Sequence, residues 1–199
     1  MSDDILAKYC SPTIVGIKTG SMFTYCFESD SDKKENIRRL NKSLSGKGLR
    51  VVPLRQTDNK TLIYVFRPSK LKKDLTSDTA QQLLKQFGYR SNACSQCIAR
   101  LVNRINETDS FPHEVGLFLG YPPEDVCGFI ENKAANYKCC GFWKVYGDEH
   151  KALKTFEKYK KCTKLCCSLI AKGCSVEQLA VRWNSWLFRA ERKDRYYNE

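Results

Sequence analysis

The chain is organised around residues 110–146, SFPHEVGLFLGYPPEDVCGFIENKAANYKCCGFWKVY, where its most distinctive side chains cluster. A His113–Glu114 pair stands near the start of this central segment, and glycines flank a Pro-Pro turn. Aromatic residues then alternate with lysines around Cys139 and Cys140. A plain structural connection has fewer such residues, so the central segment predicts a functional site.

Helix signals predict two short helices within the central segment. Ser110 is a candidate N-cap of a first helix that ends at Leu119, before a glycine. Pro122 begins a second helix that runs to about residue 132. Residues 138–146 form a strand or an ordered loop. The two helices resemble a helix-turn-helix in outline, but the acidic residues on the second one disfavour contact with DNA phosphates.

Three runs of β-prone residues predict a small antiparallel sheet in the N-terminal half. They cover residues 22–27, 49–55 and 61–67, and a hairpin signal joins the last two. An amphipathic helix over residues 32–44, with a capping box that starts at Asp32, connects the first run to the second. This pattern predicts an α+β fold in which helices pack on a sheet of three to four strands.

The residues before the first strand are predicted to form a short helix, residues 2–9, and then a turn-rich passage that begins at Cys10. Four polar side chains in this passage either hold an anion or cap a strand: Ser11, Thr13, Lys18 and Thr19.

The second half is predicted to be mostly helical, after a basic linker over residues 69–76. Together with the sheet it forms a single α+β domain over residues 1–182, followed by a helical, charged extension over residues 183–199. The helices are predicted over residues 78–87, 92–106 and 148–172, and from a capping box formed by Ser175 and Gln178.

Composition narrows the classes of protein. The 199 residues suffice for a well-packed core, and the N-terminus lacks a signal-peptide pattern, so we expect a cytoplasmic protein without a membrane span. The eleven cysteines are odd in number, which favours reduced thiols over a disulfide framework. The net charge of +12 predicts an anionic partner or ligand.

The central segment offers two kinds of chemistry. His113 and Glu114 are candidates for acid/base catalysis, although Leu117 stands where a zinc-protease motif needs its second histidine. Cys139 and Cys140 are candidate metal ligands, and the cations around them would lower a thiol pKa for redox chemistry.

The Cys94–Cys97 pair continues the apolar face of the predicted 92–106 helix, which favours a place in the core.

The segments CSPTIVGIKTG, TLIYVFRP and above all FPHEVGLFLGYPPEDVCGFIENK with YKCCGFWKVYGD resemble a family of uncharacterised proteins from anaerobic bacteria, known as a domain of unknown function. The resemblance covers about residues 5–180, so Trp183 and Trp186 lie beyond the usual end. The motif often reads CCGCWKVY in that family, so Phe142 replaces a cysteine, which weakens any metal site that needs that thiol.

The resemblance supplies no catalytic residues, because the family has no established activity. Such proteins accompany ferrous-iron uptake components and flavodoxin-like electron carriers. The resemblance therefore implies an acidic redox protein, such as a flavodoxin, as a partner, and charge would steer such an encounter.

We therefore predict an accessory protein in iron or redox metabolism that binds an anionic ligand, a cofactor or an acidic protein through the central segment. One alternative is an enzyme for a small anionic substrate, in which Lys18 and Lys138 hold the substrate. Another is a basic nucleic-acid-binding module. Iron, an iron–sulfur cluster, haem, flavin and the absence of a cofactor all stay open. The predicted ligand-binding residues are Cys10, Lys18, Tyr121, Lys133, Lys138 and Lys144.

Overall fold

A three-stranded antiparallel sheet lies at the centre of the fold. The computed structural model describes residues 1–57, 60–91, 93–107 and 111–180. The strands are β1 (Gly20–Cys26), β2 (Arg50–Thr57) and β3 (Lys60–Phe66), and β3 lies between the other two. The predicted antiparallel sheet in an α+β fold is confirmed.

The sheet is buried on both faces because its middle strand is apolar on both sides. Ile63 and Val65 of β3 belong to one hydrophobic core, whereas Tyr64 and Phe66 belong to a second one. Alternate strand residues point to opposite faces, so each core covers one face of the sheet. The fold therefore has three layers, with helices on either side of the sheet.

The helices of the first core come from both ends of the chain. Buried residues of α1, α2 and α8 pack there on the sheet, and α1 contacts α8 along much of its length. A 3₁₀ turn, Ser45–Lys47, follows α2, and residues 176–180 are helical again. The bounds are α1 Asp3–Ile14, α2 Asp30–Leu44 and α8 Glu149–Ala171.

The helices of the second core come from the middle of the chain. Buried residues of all five pack on the opposite face of the sheet. Their bounds are α3 Pro68–Leu75, α4 Asp78–Gln86, α5 Cys94–Glu107, α6 Val115–Phe118 and α7 Pro123–Glu131.

Two N-terminal predictions are wrong. The turn-rich passage is helical as far as Ile14, because α1 continues through Pro12, which is buried with its neighbours. The predicted basic linker is helix α3, which begins at Pro68 and buries Leu71 and Leu75. The helix was missed because lysines surround these two leucines, whose spacing of four residues places them on one helix face.

The ends of other elements also differ from the predictions. Helix α2 begins earlier, since the Ser29 hydroxyl accepts a hydrogen bond from the Asp32 amide. Helix α6 is a single turn and starts only at Val115. The proposed N-cap Ser110 and the predicted extension over residues 183–199 lie outside the described residues.

No helix in the described ranges is long and apolar enough to cross a membrane.

Candidate functional site

The candidate site is built on a small hairpin that the central segment forms after α7. Its strands are β4 (Cys139–Cys140) and β5 (Lys144–Val145). A pairing of two residues per strand is too short to hold by itself. The hairpin is held by Asp125 of α7, which is 3% exposed.

The Asp125 carboxylate accepts three hydrogen bonds from the hairpin region. One oxygen accepts from the backbone amides of Tyr146 and Gly147, each at 2.7 Å, and the other accepts from Nε1 of Trp143 at 2.7 Å. Hydrogen bonds to a charged acceptor are stronger than neutral ones. Asp125 therefore fixes the hairpin and the indole of Trp143 together.

Two glycines bring the hairpin close to the helices. A side chain at Gly128 of α7 would overlap Tyr146, and one at Gly141 would overlap the ring of Phe156 on α8. The glycines of the segment thus allow close packing between α7, the hairpin and α8.

The closely packed hairpin encloses a cavity of about 340 Å³. Five aromatic side chains line it: Tyr121 and Trp143 stack with their ring centroids 4.9 Å apart, and Phe111, Phe129 and Phe142 are the other three. The exposed rings of Phe111 and Phe142 line the cavity where it meets solvent. The site is therefore an aromatic pocket that is open on one side.

Lys144 and His113 are the basic residues that line this pocket. Lys144 Nζ donates to the carbonyl oxygen of Ala134 at 2.7 Å and lies 4.6 Å from the ring centroid of Tyr137. The His113 ring contacts Phe129 edge-on, with centroids 5.0 Å apart. An ammonium group has three donors, so the carbonyl leaves Lys144 with further donors for a ligand.

The loop that supplies the Ala134 carbonyl has a strained backbone. Lys133 and Ala134 have φ values of 48° and 63°, and Asn136 has 57°. Side chains other than glycine rarely adopt this left-handed region, and each such residue costs about 1–2 kcal/mol. The helix end at Lys133 thus uses a lysine where glycine is the common choice.

The structure brings four of the predicted site residues into the pocket. His113, Tyr121, Cys140 and Lys144 all line it.

Two predicted lysines lie on the surface of the same segment. Lys133 and Lys138 are exposed, and Lys138 Nζ donates to the carbonyl oxygen of Gly147 at 2.6 Å. They add positive charge beside the pocket without lining it.

Glu114 occupies a different position from its neighbour His113. It is fully buried, and its carboxylate forms an ion pair with Arg104 of α5 and accepts from the hydroxyl of Tyr89 at 3.2 Å. Burial and the carboxylate raise the pKa of Tyr89, which keeps the phenol protonated as a donor. The structure thus makes Glu114 a link between Arg104 of α5 and Tyr89, and Glu114 does not line the pocket.

Lys18 lies behind the Tyr121 ring of the pocket wall, and Cys10 is buried in the first core. Lys18 Nζ donates to the carbonyl oxygen of Gly20 at 2.6 Å and stands 5.5 Å from the ring centroid of Tyr121. Burial lowers the pKa of Lys18 to about 8, although the neighbouring Cys10 opposes the shift. Burial raises the pKa of Cys10 to about 12. Neither residue lines the pocket.

The thiols do not form a metal cluster within the described parts of the chain, where no three His, Cys, Asp or Glu side chains are placed to hold one ion. Desolvation and the neighbouring Glu149 carboxylate raise the pKa of Cys139. The lowered thiol pKa expected from nearby lysines is therefore wrong for Cys139. Cys97 is in the core, as its helical spacing predicted.

Three important residues of the site were not among the predicted ones: Asp125, Phe129 and Trp143. Asp125 stood out only as one of the acids in the first turn of a helix, which is common at helix starts. Its contact with Trp143 spans 18 residues, and no local pattern signals it.

The fold and the site together define the class of protein: an α+β domain with an aromatic pocket whose lining includes one lysine. The chain belongs to a family described as proteins of unknown function, DUF3793, whose model matches residues 6–180. This match confirms the predicted family of unknown function. No curated protein and no solved structure matches the chain.

Proposed function

We propose that the protein binds a small ligand with a flat apolar body and one acidic group in the aromatic pocket. The observation that carries the proposal is the combination of stacked rings with one anchored lysine, Lys144, in a single cavity. This narrows the anionic ligand expected from the sequence to one with an aromatic or similarly flat apolar body.

The size and lining of the pocket support an apolar body. About 340 Å³ lies at the low end of the range of small-molecule sites, about 300–1,000 Å³. Rings of Tyr121, Phe129 and Trp143 stack well on a flat ligand, and such pairs add to the gain from buried area.

The placement of Lys144 supports an acidic group on the ligand. Its ammonium is held between a carbonyl and aromatic rings, so little side-chain freedom is lost when it contacts an anion. The one acid that lines the pocket, within the described part of the chain, is Asp125, whose oxygens already accept three hydrogen bonds. The Asp125 carboxylate is thus bonded to the hairpin, and Lys144 is the lysine in the lining that an anion can contact.

The role in iron or redox metabolism is compatible with this ligand class, because a flavin nucleotide combines a flat ring system with a phosphate. An absorption spectrum with metal analysis on protein purified without oxygen tests this role directly. A flavin band would identify the ligand, and iron with sulfide would instead support the thiols as its ligands.

The test of binding compares two probes that share one aromatic body. 8-Anilino-1-naphthalenesulfonate has a sulfonate, and N-phenyl-1-naphthylamine lacks it. We expect both probes to bind. Replacing Lys144→Met should weaken the sulfonate probe about tenfold and leave the neutral probe within about twofold, because only the charged contact is lost.

The matched control is Lys151→Met, which removes a lysine that is exposed on α8 and does not line the pocket. Phe142→Ala should weaken both probes, since it removes apolar surface from the pocket mouth. If neither probe binds, or if Lys144→Met leaves the affinity for the sulfonate unchanged, the proposal fails.

The enzymatic alternative rests on His113 alone. Lys18 is bonded to the Gly20 carbonyl behind the pocket, Lys138 is outside it, and Glu114 is committed to Arg104. The pocket does not bring His113 together with the two lysines that this alternative needs, so binding is the function the geometry supports best.

A further inference from the structure

The mouth of the pocket has an unusual surface. Within the described residues, five large hydrophobic side chains are exposed by 40% or more. Three of them lie at the pocket or beside one of its lining residues: Phe111 is 44% exposed, Tyr137 43% and Phe142 40%. Phe111 and Phe142 line it, and Tyr137 contacts Lys144, which lines it too. We call Phe111, Tyr137 and Phe142 the aromatic rim.

The aromatic rim is accompanied by positive charge. Lys133 and Lys138 are exposed on the segment that contains Tyr137, and Lys144 lies at its end. Residues 129–144 contain these three lysines and one acid, Glu131, so this stretch of sequence has a net charge of +2. Exposed apolar rings beside cations are complementary to a surface that is apolar inside and anionic outside.

These observations point to one occupant, and we propose that the aromatic rim docks on an anionic lipid surface. This inference rests on the proposed function, since it makes the ligand an amphiphile that enters the pocket from the lipid. Aromatic rings favour the boundary between headgroups and acyl chains, and lysine stems reach past them to the phosphates.

The kind of cation favours lipid over an acidic protein. Protein interfaces are enriched in arginine and depleted in lysine. The central segment has three lysines and no arginine. Lipid phosphates need charge without bidentate geometry, which lysine supplies.

The test is sedimentation of the full chain with vesicles of phosphatidylcholine alone and with mixed phosphatidylcholine–phosphatidylglycerol vesicles. We expect binding to the mixed vesicles that weakens as salt is added. The double substitution Tyr137→Ser with Lys138→Gln should lower the affinity for the mixed vesicles about tenfold, because it removes one interfacial ring and one lysine.

The chain offers a matched control elsewhere on its surface. Lys8 stands over the ring of Tyr9, which is 47% exposed, so Lys8→Gln with Tyr9→Ser removes the same two side-chain types on α1. We expect this variant to keep its affinity for the mixed vesicles. Equal losses in the two double variants would overturn the inference, because total charge rather than the aromatic rim would then explain the binding.

Binding of N-phenyl-1-naphthylamine separates this inference from the proposed function. Neither Tyr137 nor Lys138 lines the pocket, so the rim variant should bind the neutral probe normally. If the probe binds but neither type of vesicle does, the lipid surface is refuted and the pocket stands; an acidic protein partner would give that result. If the probe does not bind, the proposed function itself fails.

Discussion

Removing the carboxylate of Asp125 should detach the hairpin from α7. The substitution Asp125→Ala leaves the amides of Tyr146 and Gly147 and the Nε1 of Trp143 without their common acceptor. A hydrogen bond to a charged group contributes about 1.5–3 kcal/mol. The three bonds share one carboxylate and are not additive, so we expect a loss of about 4 kcal/mol in the free energy of unfolding.

The variant Asp125→Asn separates charge from geometry. Its amide oxygen still accepts from Tyr146 and Gly147, but its NH₂ group faces the Nε1–H of Trp143, so one bond is replaced by two opposed donors. We expect a loss of about 2 kcal/mol. Glu124→Gln is the control, since it removes the same charge at the neighbouring exposed position, and it should change stability by less than about 0.5 kcal/mol.

Urea denaturation followed by far-UV circular dichroism measures these values. In a chain of this length, 4 kcal/mol also corresponds to a fall in Tm of about 8–16 °C. Asp125→Ala should abolish binding of N-phenyl-1-naphthylamine, because the pocket wall moves with Trp143. Two results would refute the role of the carboxylate as the acceptor that holds the hairpin. One is a loss in the free energy of unfolding below about 1 kcal/mol for Asp125→Ala, and the other is a greater loss for Asp125→Asn than for Asp125→Ala.

Three further predictions concern backbone and buried charge, and urea denaturation measures each. Gly141→Ala should lower the free energy of unfolding by about 2 kcal/mol, because the added methyl group overlaps the Phe156 ring. Gly46→Ala is the control, since no atom lies within 4 Å of the added group, and it should leave the free energy of unfolding unchanged. Equal effects of the two substitutions would argue against close packing of the hairpin. Lys133→Gly should raise the free energy of unfolding by about 1 kcal/mol, because glycine adopts the left-handed φ of 48° without the strain that a side chain causes. A lower free energy of unfolding would show that the lysine side chain contributes more than the strain costs. Burial lowers the pKa of Lys18 from 10.5 to about 8, so between these values the unfolded chain binds the additional proton and stability rises with pH. Relative to Lys18→Met, the wild-type protein should gain about 1 kcal/mol between about pH 8 and 9, and parallel pH profiles would contradict the buried cation.

Elements with a strong periodic signal could be predicted from the sequence. The strand β3 was predicted to within a residue at each end from its β-prone run, and so was α8 from its long apolar stripe. Helix α3 was missed because only Leu71 and Leu75 are buried among lysines. Helix α1 was cut short because Pro12 is a common end signal, although its neighbours are buried by α8 and the sheet.

The sequence predicted which segment forms the candidate site, but it did not predict which side chains meet there. His113 and Glu114 are adjacent in sequence and lie in the turn before α6, where His113 is exposed and lines the pocket while Glu114 is buried in an ion pair with Arg104. A lysine is expected on the surface from sequence alone, yet Lys18 is only 8% exposed because β1 and the ring of Tyr121 enclose it. Burial of this kind depends on which elements meet, and a local pattern does not encode it.

The hairpin couples the two proposed activities physically. It contributes Trp143 and Lys144 to the pocket, and Phe142 at its turn belongs to the aromatic rim. Tyr137 stands just before it and contacts Lys144. A change that releases the hairpin, such as Asp125→Ala, should therefore abolish both probe binding and vesicle binding, whereas a change at Tyr137 should weaken vesicle binding alone. Because both activities depend on one small hairpin, a ligand that orders it further would also strengthen docking on lipid, and the reverse must hold by linkage.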